Sequence, residues 1–148
     1  MSRPSQGEDS CGDDDRVRRE RRRVLLVDDH DDSLEMLAQI LSFSGFETAG
    51  AKSGSDALAK ARELRPDVVV TDLRLPGIDG FGLTRKLRED RTMAGTRIII
   101  LSGVVESGVE QRARDAGCDA FLRKPCMPDA LVLEIGRVLE APSRAGTA

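Results

Sequence analysis

Five polar side chains in this 148-residue chain stand where short apolar runs stop. Asp28 and Asp29 follow VLLV at 24–27, and Asp72 follows VVV and Thr71 at 68–71. Ser102 follows IIIL at 98–101, and Lys124 follows AFL and Arg123 at 120–123. Three carboxylates within a few ångströms of one another repel and raise each other's pKa unless a cation neutralises them. A hard divalent ion with oxygen ligands answers that repulsion. Mg2+ suits a site with about two carboxylates and coordination positions left for water and phosphate. A carboxylate beside such an ion and an ammonium is a nucleophile toward phosphorus. Lys124 and the metal would neutralise the transferring oxygens while Asp72 forms an acyl phosphate.

That chemistry requires the apolar runs to be neighbouring strands of one sheet, and the pattern between them predicts this. Each short run reads as a strand buried on both faces, and each is followed by a helix-like segment. Asp31, Asp32 and Ser33 offer an N-cap and first-turn acids to a helix carrying Leu34, Leu37, Ala38 and Leu41, closed by Gly45. Residues 46–51 form a weaker, edge-like strand. A second helix opens near Ser53, with Ala57, Leu58, Ala61 and Leu64 on one face and Pro66 beyond its end. Residues 73–80, with Pro76, Gly77 and Gly80, read as a loop into a helix carrying Leu83 and Leu87. Val109, Ala113 and Ala116 mark a short helix ended by Gly117. A last helix starts near Pro128 and buries Leu131, Ile135, Val138 and Leu139. Five such units predict an α/β fold: a flavodoxin-like, doubly wound parallel sheet of order 2-1-3-4-5 with five helices. A barrel would need about eight units. In an open parallel sheet ligands bind at the carboxyl ends of the strands, where the five polar residues fall.

Four segments now carry a resemblance. VLLVDDH at 24–30, VVVTDLRLPGIDG at 68–80, IIILSG at 98–103 and FLRKP at 121–125 closely resemble the receiver domains of two-component signalling. The likeness covers roughly residues 23 to 140, with the motifs in order. It implies that Asp72 accepts a phosphoryl group from a phosphohistidine of a sensor histidine kinase or a histidine phosphotransfer protein. It further implies that Asp29 ligates Mg2+ directly, Asp28 mainly through water, and Asp72 and the backbone carbonyl of Arg74 complete the protein ligands. Lys124 would bridge to Asp72 and then to the phosphoryl oxygens. Ser102 would swing in to a phosphoryl oxygen, and Phe121 would turn inward into the space vacated. A cis Lys124–Pro125 peptide is expected with them. The output would be a modest two-state shift of the surface built by the fourth helix, fifth strand and fifth helix. Ser102 and Phe121 stand where Thr and Tyr are commoner. Arg74 and Val104, each two residues past a site residue, differ from the Asn and Glu of the chemotaxis-type regulator, so a longer-lived phosphoryl group is expected. Cys126 follows the Lys-Pro pair, where Phe is frequent.

Competing readings are weaker. Helix capping explains Asp31 or Asp32 better than Asp28 and Asp29, which lie further from the helix. Asp72 as a plain turn former before Pro76 leaves the rest of the cluster unexplained. His30 reads as an exposed helix-start residue, because one histidine supplies too little for a transition-metal site. Cys118 reads as a small core-edge filler. A haloacid-dehalogenase-type phosphohydrolase wants a second Asp two residues after the nucleophile, where Arg74 stands. A flavin binder wants a Ser/Thr/Gly-rich phosphate loop after the first strand, where the acidic residues 28–32 (Asp-Asp-His-Asp-Asp) would repel phosphate. The expectation is a phosphoacceptor switch rather than a turnover enzyme.

Composition sets the remaining bounds. Charged residues make up 33% with a formal net charge of −3, and Trp and Tyr are absent, so neither a basic surface nor aromatic stacking points to nucleic acid. The longest apolar runs are far too short for a bilayer span, and the polar start shows no secretory signal. Three scattered cysteines, Cys11, Cys118 and Cys126, suit a reducing cytoplasm. Residues 1–22 read as a disordered charged arm, acidic then arginine-rich, 23–141 as the receiver domain and 142–148 as a flexible end. With tails this short, no attached output domain is expected. A stand-alone regulator acting on an unknown downstream protein is expected, or a phosphate sink or shuttle in a relay, as a monomer or weak dimer.

Overall fold

The structure, a computed structural model, describes residues 22–103, 106–125 and 127–141. The expected arm, apart from Arg22, and the expected end at 142–148 lie outside the described residues. Five strands, β1 (Arg23–Val27), β2 (Glu47–Ala51), β3 (Val68–Asp72), β4 (Arg97–Ser102) and β5 (Ala120–Arg123), form one sheet. Its order is β2-β1-β3-β4-β5 and every pairing is parallel. The helices are α1 (Asp31–Phe43), α2 (Gly54–Leu64), α3 (Gly80–Glu89), α4 (Val109–Ala116) and α5 (Pro128–Glu140). The predicted doubly wound fold is the observed one.

Alternation along the strands makes two cores, one on each face of the sheet. Leu25, Val27, Val69, Ile98 and Ile100 point toward α2, α3 and α4, packing with Ala57, Ala61, Leu83, Leu87, Val109 and Ala113. Val24, Leu26, Val68, Val70, Ile99 and Leu101 point the other way, onto Leu41, Leu131, Ile135 and Val138 of α1 and α5. Ile98, Ile99 and Ile100 are fully buried. Each such side chain contributes about 1.5–3 kcal/mol from water exclusion. Because all strands run the same way, their carboxyl ends share one edge. The chain leaves β1 outward to β2 and returns to β3 on the other side, which opens a crevice between the ends of β1 and β3.

Three local details differ from the expectation. The N-cap of α1 is His30, whose side chain makes no capping bond, while Asp31 and Asp32 sit inside the first turn. Helix α2 ends on Arg65 in the left-handed region, at φ 50°, just before Pro66, a position more often given to Gly or Asn. A 3-10 turn, Arg91–Met93, buries Met93 where no element was foreseen. Ser53 caps α2 as expected, accepting from the Asp56 amide at 3.1 Å.

The amino edge of the sheet is held by Arg88 on α3. Its guanidinium donates to the Gly117 carbonyl at 2.8 Å, to the Thr96 carbonyl at 2.6 Å and to Asp119 Oδ2 at 2.6 Å. Asp119 Oδ2 also accepts from the Ile98 amide at 2.8 Å. One planar group thus ties α3, the start of β4, the end of α4 and the start of β5. Gly117, at φ 116°, has no Cβ because one would lie 2.7 Å from Arg88 Cγ. Arg88→Ala would remove the cation beside the Asp119 carboxylate, whose exposure is only 20%. The expected loss is about 2–4 kcal/mol by urea denaturation. Arg88→Lys should recover less than half of it, because a single ammonium cannot span all the acceptors. Wild-type stability in the Lys variant would remove the clamp from this account.

Candidate functional site

The ladder fixes the polar ends before any side chain is considered. The Asp28 amide donates to the Ala51 carbonyl at 3.0 Å, and the Leu73 amide to the Leu101 carbonyl at 2.9 Å. The Lys124 amide donates to the Ser102 carbonyl at 2.8 Å. Asp28, Asp72, Ser102 and Lys124 are therefore held in register at the last rung of their strands or just past it, and Asp29 follows Asp28 directly. Gly80 lets α3 begin hard against the end of β3, since a Cβ there would sit 2.8 Å from the Asp72 carbonyl oxygen. The Lys124–Pro125 peptide is cis.

The side chains converge in an open cleft of about 370 Å³ lined by Asp29, His30, Asp72, Leu73, Arg74, Ser102, Gly103 and Lys124. That volume has room for an ion, waters and a phosphoryl group. Lys124 Nζ lies 2.8 Å from Asp72 Oδ1 and 4.0 Å from Asp28 Oδ2. Asp28 is buried, Asp72 half-buried and Asp29 exposed. Ser102, the last residue of β4, is 1% exposed. Phe121 is also inside, at 9%, in the core layer it shares with Val109 and Ala113 of α4. Val104 and Cys126 lie outside the described residues. Cys118 is buried, as its reading as a core filler expected.

Burial pushes the Asp72 carboxyl above its ordinary value. The Lys124 ammonium opposes this by hydrogen bond and charge, while Asp28 and Asp29 push it further up. One donor atom from each of Asp28, Asp29, His30 and Asp72 lies within 4.8 Å of the others. Crowded oxygen donors of this kind fit a divalent cation of the Mg2+ type.

His30 is the residue that sequence reasoning undervalued. It is exposed, as expected, yet its Nδ1 stands 3.1 Å from Asp28 Oδ1 and 3.1 Å from Asp29 Oδ1. The hydrogen bond to Asp28 and the charges of Asp29 and Asp28 raise its pKa. The available signal was adjacency: a residue directly after an acidic pair and directly before a helix is folded back over that pair.

A doubly wound α/β domain with an acidic crevice and a lysine at the switch point belongs to a recognisable class, the phosphorylation-regulated signalling domains. The family model described as "Response regulator receiver domain" matches residues 24–136. The DNA-binding response regulator MtrA of Mycolicibacterium smegmatis is 39% identical over 115 residues, 78% of this chain and 49% of that protein. The polar-differentiation response regulator DivK of Brucella ovis is 32% identical over 102 residues, 69% of this chain and 83% of that protein. The solved chemotaxis response regulator CheY4 of Vibrio cholerae superposes with a TM-score of 0.75 at 30% identity, over 80% of this chain and 98% of that one. The chain belongs to the response-regulator receiver family of two-component signalling, whose members are phosphorylated on aspartate and meet histidine kinases or phosphotransfer proteins. It spans about half the length of the MtrA proteins it matches. Among the described residues no helix is long and apolar enough to cross a membrane.

The raised pKa of Asp72 makes a prediction with a defined sign. A folded-state value above the unfolded one means that ionising Asp72 costs the fold stability. The cost is absent below the unfolded-chain value, grows as pH rises toward the folded value and is complete above it. In metal-free buffer near neutral pH, Asp72→Asn should therefore melt at a higher temperature than wild type. That gain should fade as pH falls through the carboxylate range. A melting temperature that drops on substitution near neutral pH would mean that the Lys124 pairing outweighs the crowding.

Proposed function

We propose that Asp72 is the phosphoryl acceptor of this receiver. Asp28, Asp29, Asp72 and the Arg74 carbonyl hold Mg2+, and Lys124 and Ser102 bind the phosphoryl oxygens. The observation that carries this reading is the 2.8 Å contact of Lys124 Nζ with Asp72 Oδ1 beside the carboxylates of Asp28 and Asp29. When bound, Mg2+ supplies charge neutralisation for the oxygens of the transferring group. An Asp72 carboxylate oxygen attacks phosphorus in line, forming a C–O–P linkage as the P–N bond to the donor's imidazole breaks. Lys124 is already beside the acceptor oxygen, so its ammonium meets developing charge without having to move far. The Ser102 hydroxyl donates to a phosphoryl oxygen from the end of the neighbouring strand. Arg74 at the mouth of the cleft is a bulky cation, and its guanidinium restricts the approach of water to the acyl phosphate.

The donor is a phosphohistidine on a sensor kinase or phosphotransfer protein, and the output travels by protein–protein contact to a downstream protein. Dephosphorylation and phosphorylation on Asp72 are the only chemistry in this reading, so the domain serves as a switch and not a turnover enzyme.

The test is incubation with Mg2+ and acetyl phosphate, read by intact mass. Wild type should gain the mass of one phosphoryl group and Asp72→Asn should gain none. Lys124→Ala should take up label about 10²-fold more slowly, the size of effect expected for losing one preorganised charge-stabilising donor. Equal labelling of Asp72→Asn and wild type would move the acceptor elsewhere.

A further inference from the structure

We infer that His30 is a nitrogen ligand of this metal site, so that the site favours borderline divalent ions such as Ni2+ over Mg2+ beyond what its carboxylates alone would give. The inference rests on the reading that Asp28, Asp29 and Asp72 hold a divalent ion.

The first observation is that His30 occupies a helix cap without capping. Cap positions favour side chains that accept from the first turn, yet the His30 side chain makes no such bond. Its imidazole is committed to the crevice instead. The second is geometric. Around an ion with metal–ligand distances near 2.1 Å, adjacent octahedral donors lie about 3 Å apart and opposite ones about 4 Å apart. Nδ1 of His30 lies 3.1 Å from an oxygen of Asp28 and 3.1 Å from an oxygen of Asp29. With Asp72 included, all four donor atoms fall within 4.8 Å of one another, so the widest pair has to close by about half an ångström around an ion. A separation near 3 Å serves equally as a hydrogen bond or as one edge of a coordination polyhedron.

The third observation is preorganisation. The His30 amide donates to Asp28 Oδ1 at 3.0 Å, and its carbonyl accepts from the Leu34 amide at 3.1 Å. Its backbone is pinned from both sides before any ion arrives. Nδ1 binds an ion through its lone pair, with the ring proton on Nε2, and the exposed ring leaves that N–H to water. One histidine alone is too little for a transition metal. One histidine over three carboxylates is a mixed nitrogen–oxygen set, and imidazole raises affinity along the Mn2+ to Ni2+ series far more than for Mg2+.

His30 is the only histidine of the chain, which makes the test clean for untagged protein. Calorimetric titration with Mg2+ and with Ni2+ compares wild type, His30→Ala and Asp29→Asn. His30→Ala should weaken Ni2+ at least about tenfold and leave Mg2+ within about threefold. Asp29→Asn should weaken both ions, which places them in one site. Pulsed electron spin resonance of the Mn2+-loaded protein should show nitrogen coupling that His30→Ala abolishes. Equal effects of His30→Ala on Ni2+ and Mg2+, or no effect on either, overturn the inference and leave the carboxylate site intact. Failure of wild type to bind either ion would remove the metal site itself, a distinguishable outcome.

Discussion

The crowding of Asp28, Asp29 and Asp72 in one crevice is the constraint to which the rest of the carboxyl edge answers. Three carboxylates against the single ammonium of Lys124 leave two negative charges unneutralised, the charge of one divalent cation. The repulsion persists because Asp28 and Asp72 cannot retreat. Both sit at strand ends tied into the parallel ladder, and the exposed Asp29 follows Asp28 directly. A loop with the same acids would relax by moving them apart. A buried parallel sheet cannot, and the Asp72 carboxyl is raised first by burial and further by the charges of Asp28 and Asp29, against the opposing pull of Lys124.

The two edges of the sheet divide the work. At the amino edge, Arg88 meets carbonyl and carboxylate acceptors from separate elements, and charge is satisfied. At the carboxyl edge, three carboxylates crowd around the one ammonium of Lys124 and offer oxygens to a ligand. A single Arg–Asp pair with several backbone bonds contributes order where nothing needs to move. Frustrated charge is kept where something must bind. The central strands, buried on both faces, join these edges rigidly, so a change at Asp72 acts on a frame that does not absorb it.

How much of this was legible in the sequence follows from the range of the interactions involved. The strands were plain because VLLV, VVV and IIIL are too apolar to lie anywhere but between two layers, and the crevice followed from what comes after them. The 3-10 turn at Arg91–Met93 was not legible, because one buried methionine has no periodicity. Its cause is local: Asp90 Oδ1 accepts from the Thr92 amide at 3.0 Å and from the Thr92 hydroxyl at 2.7 Å. The position of His30 was hidden for a different reason. Composition counts one histidine as weak, whereas the fold surrounds it with three carboxylates from two strand ends. Arg88 carried no signal in the sequence, since its acceptors lie 6 to 31 positions away.

Phe121 shows what its missing hydroxyl does. A tyrosine ring buried here would need a partner for its oxygen or would forfeit roughly 1–3 kcal/mol. That cost keeps such a ring poised between an exposed and a buried position. Phenylalanine carries no such cost, and the ring is 9% exposed in the core layer of Val109 and Ala113. A ring with no oxygen to satisfy packs there at no polar cost. In the β4–β5 ladder Phe121 pairs with Ile100 and Ser102 with Arg123, so the ring and the Ser102 hydroxyl lie toward the same end of the sheet, and burial selects a side chain without a hydroxyl at one position while the other keeps it.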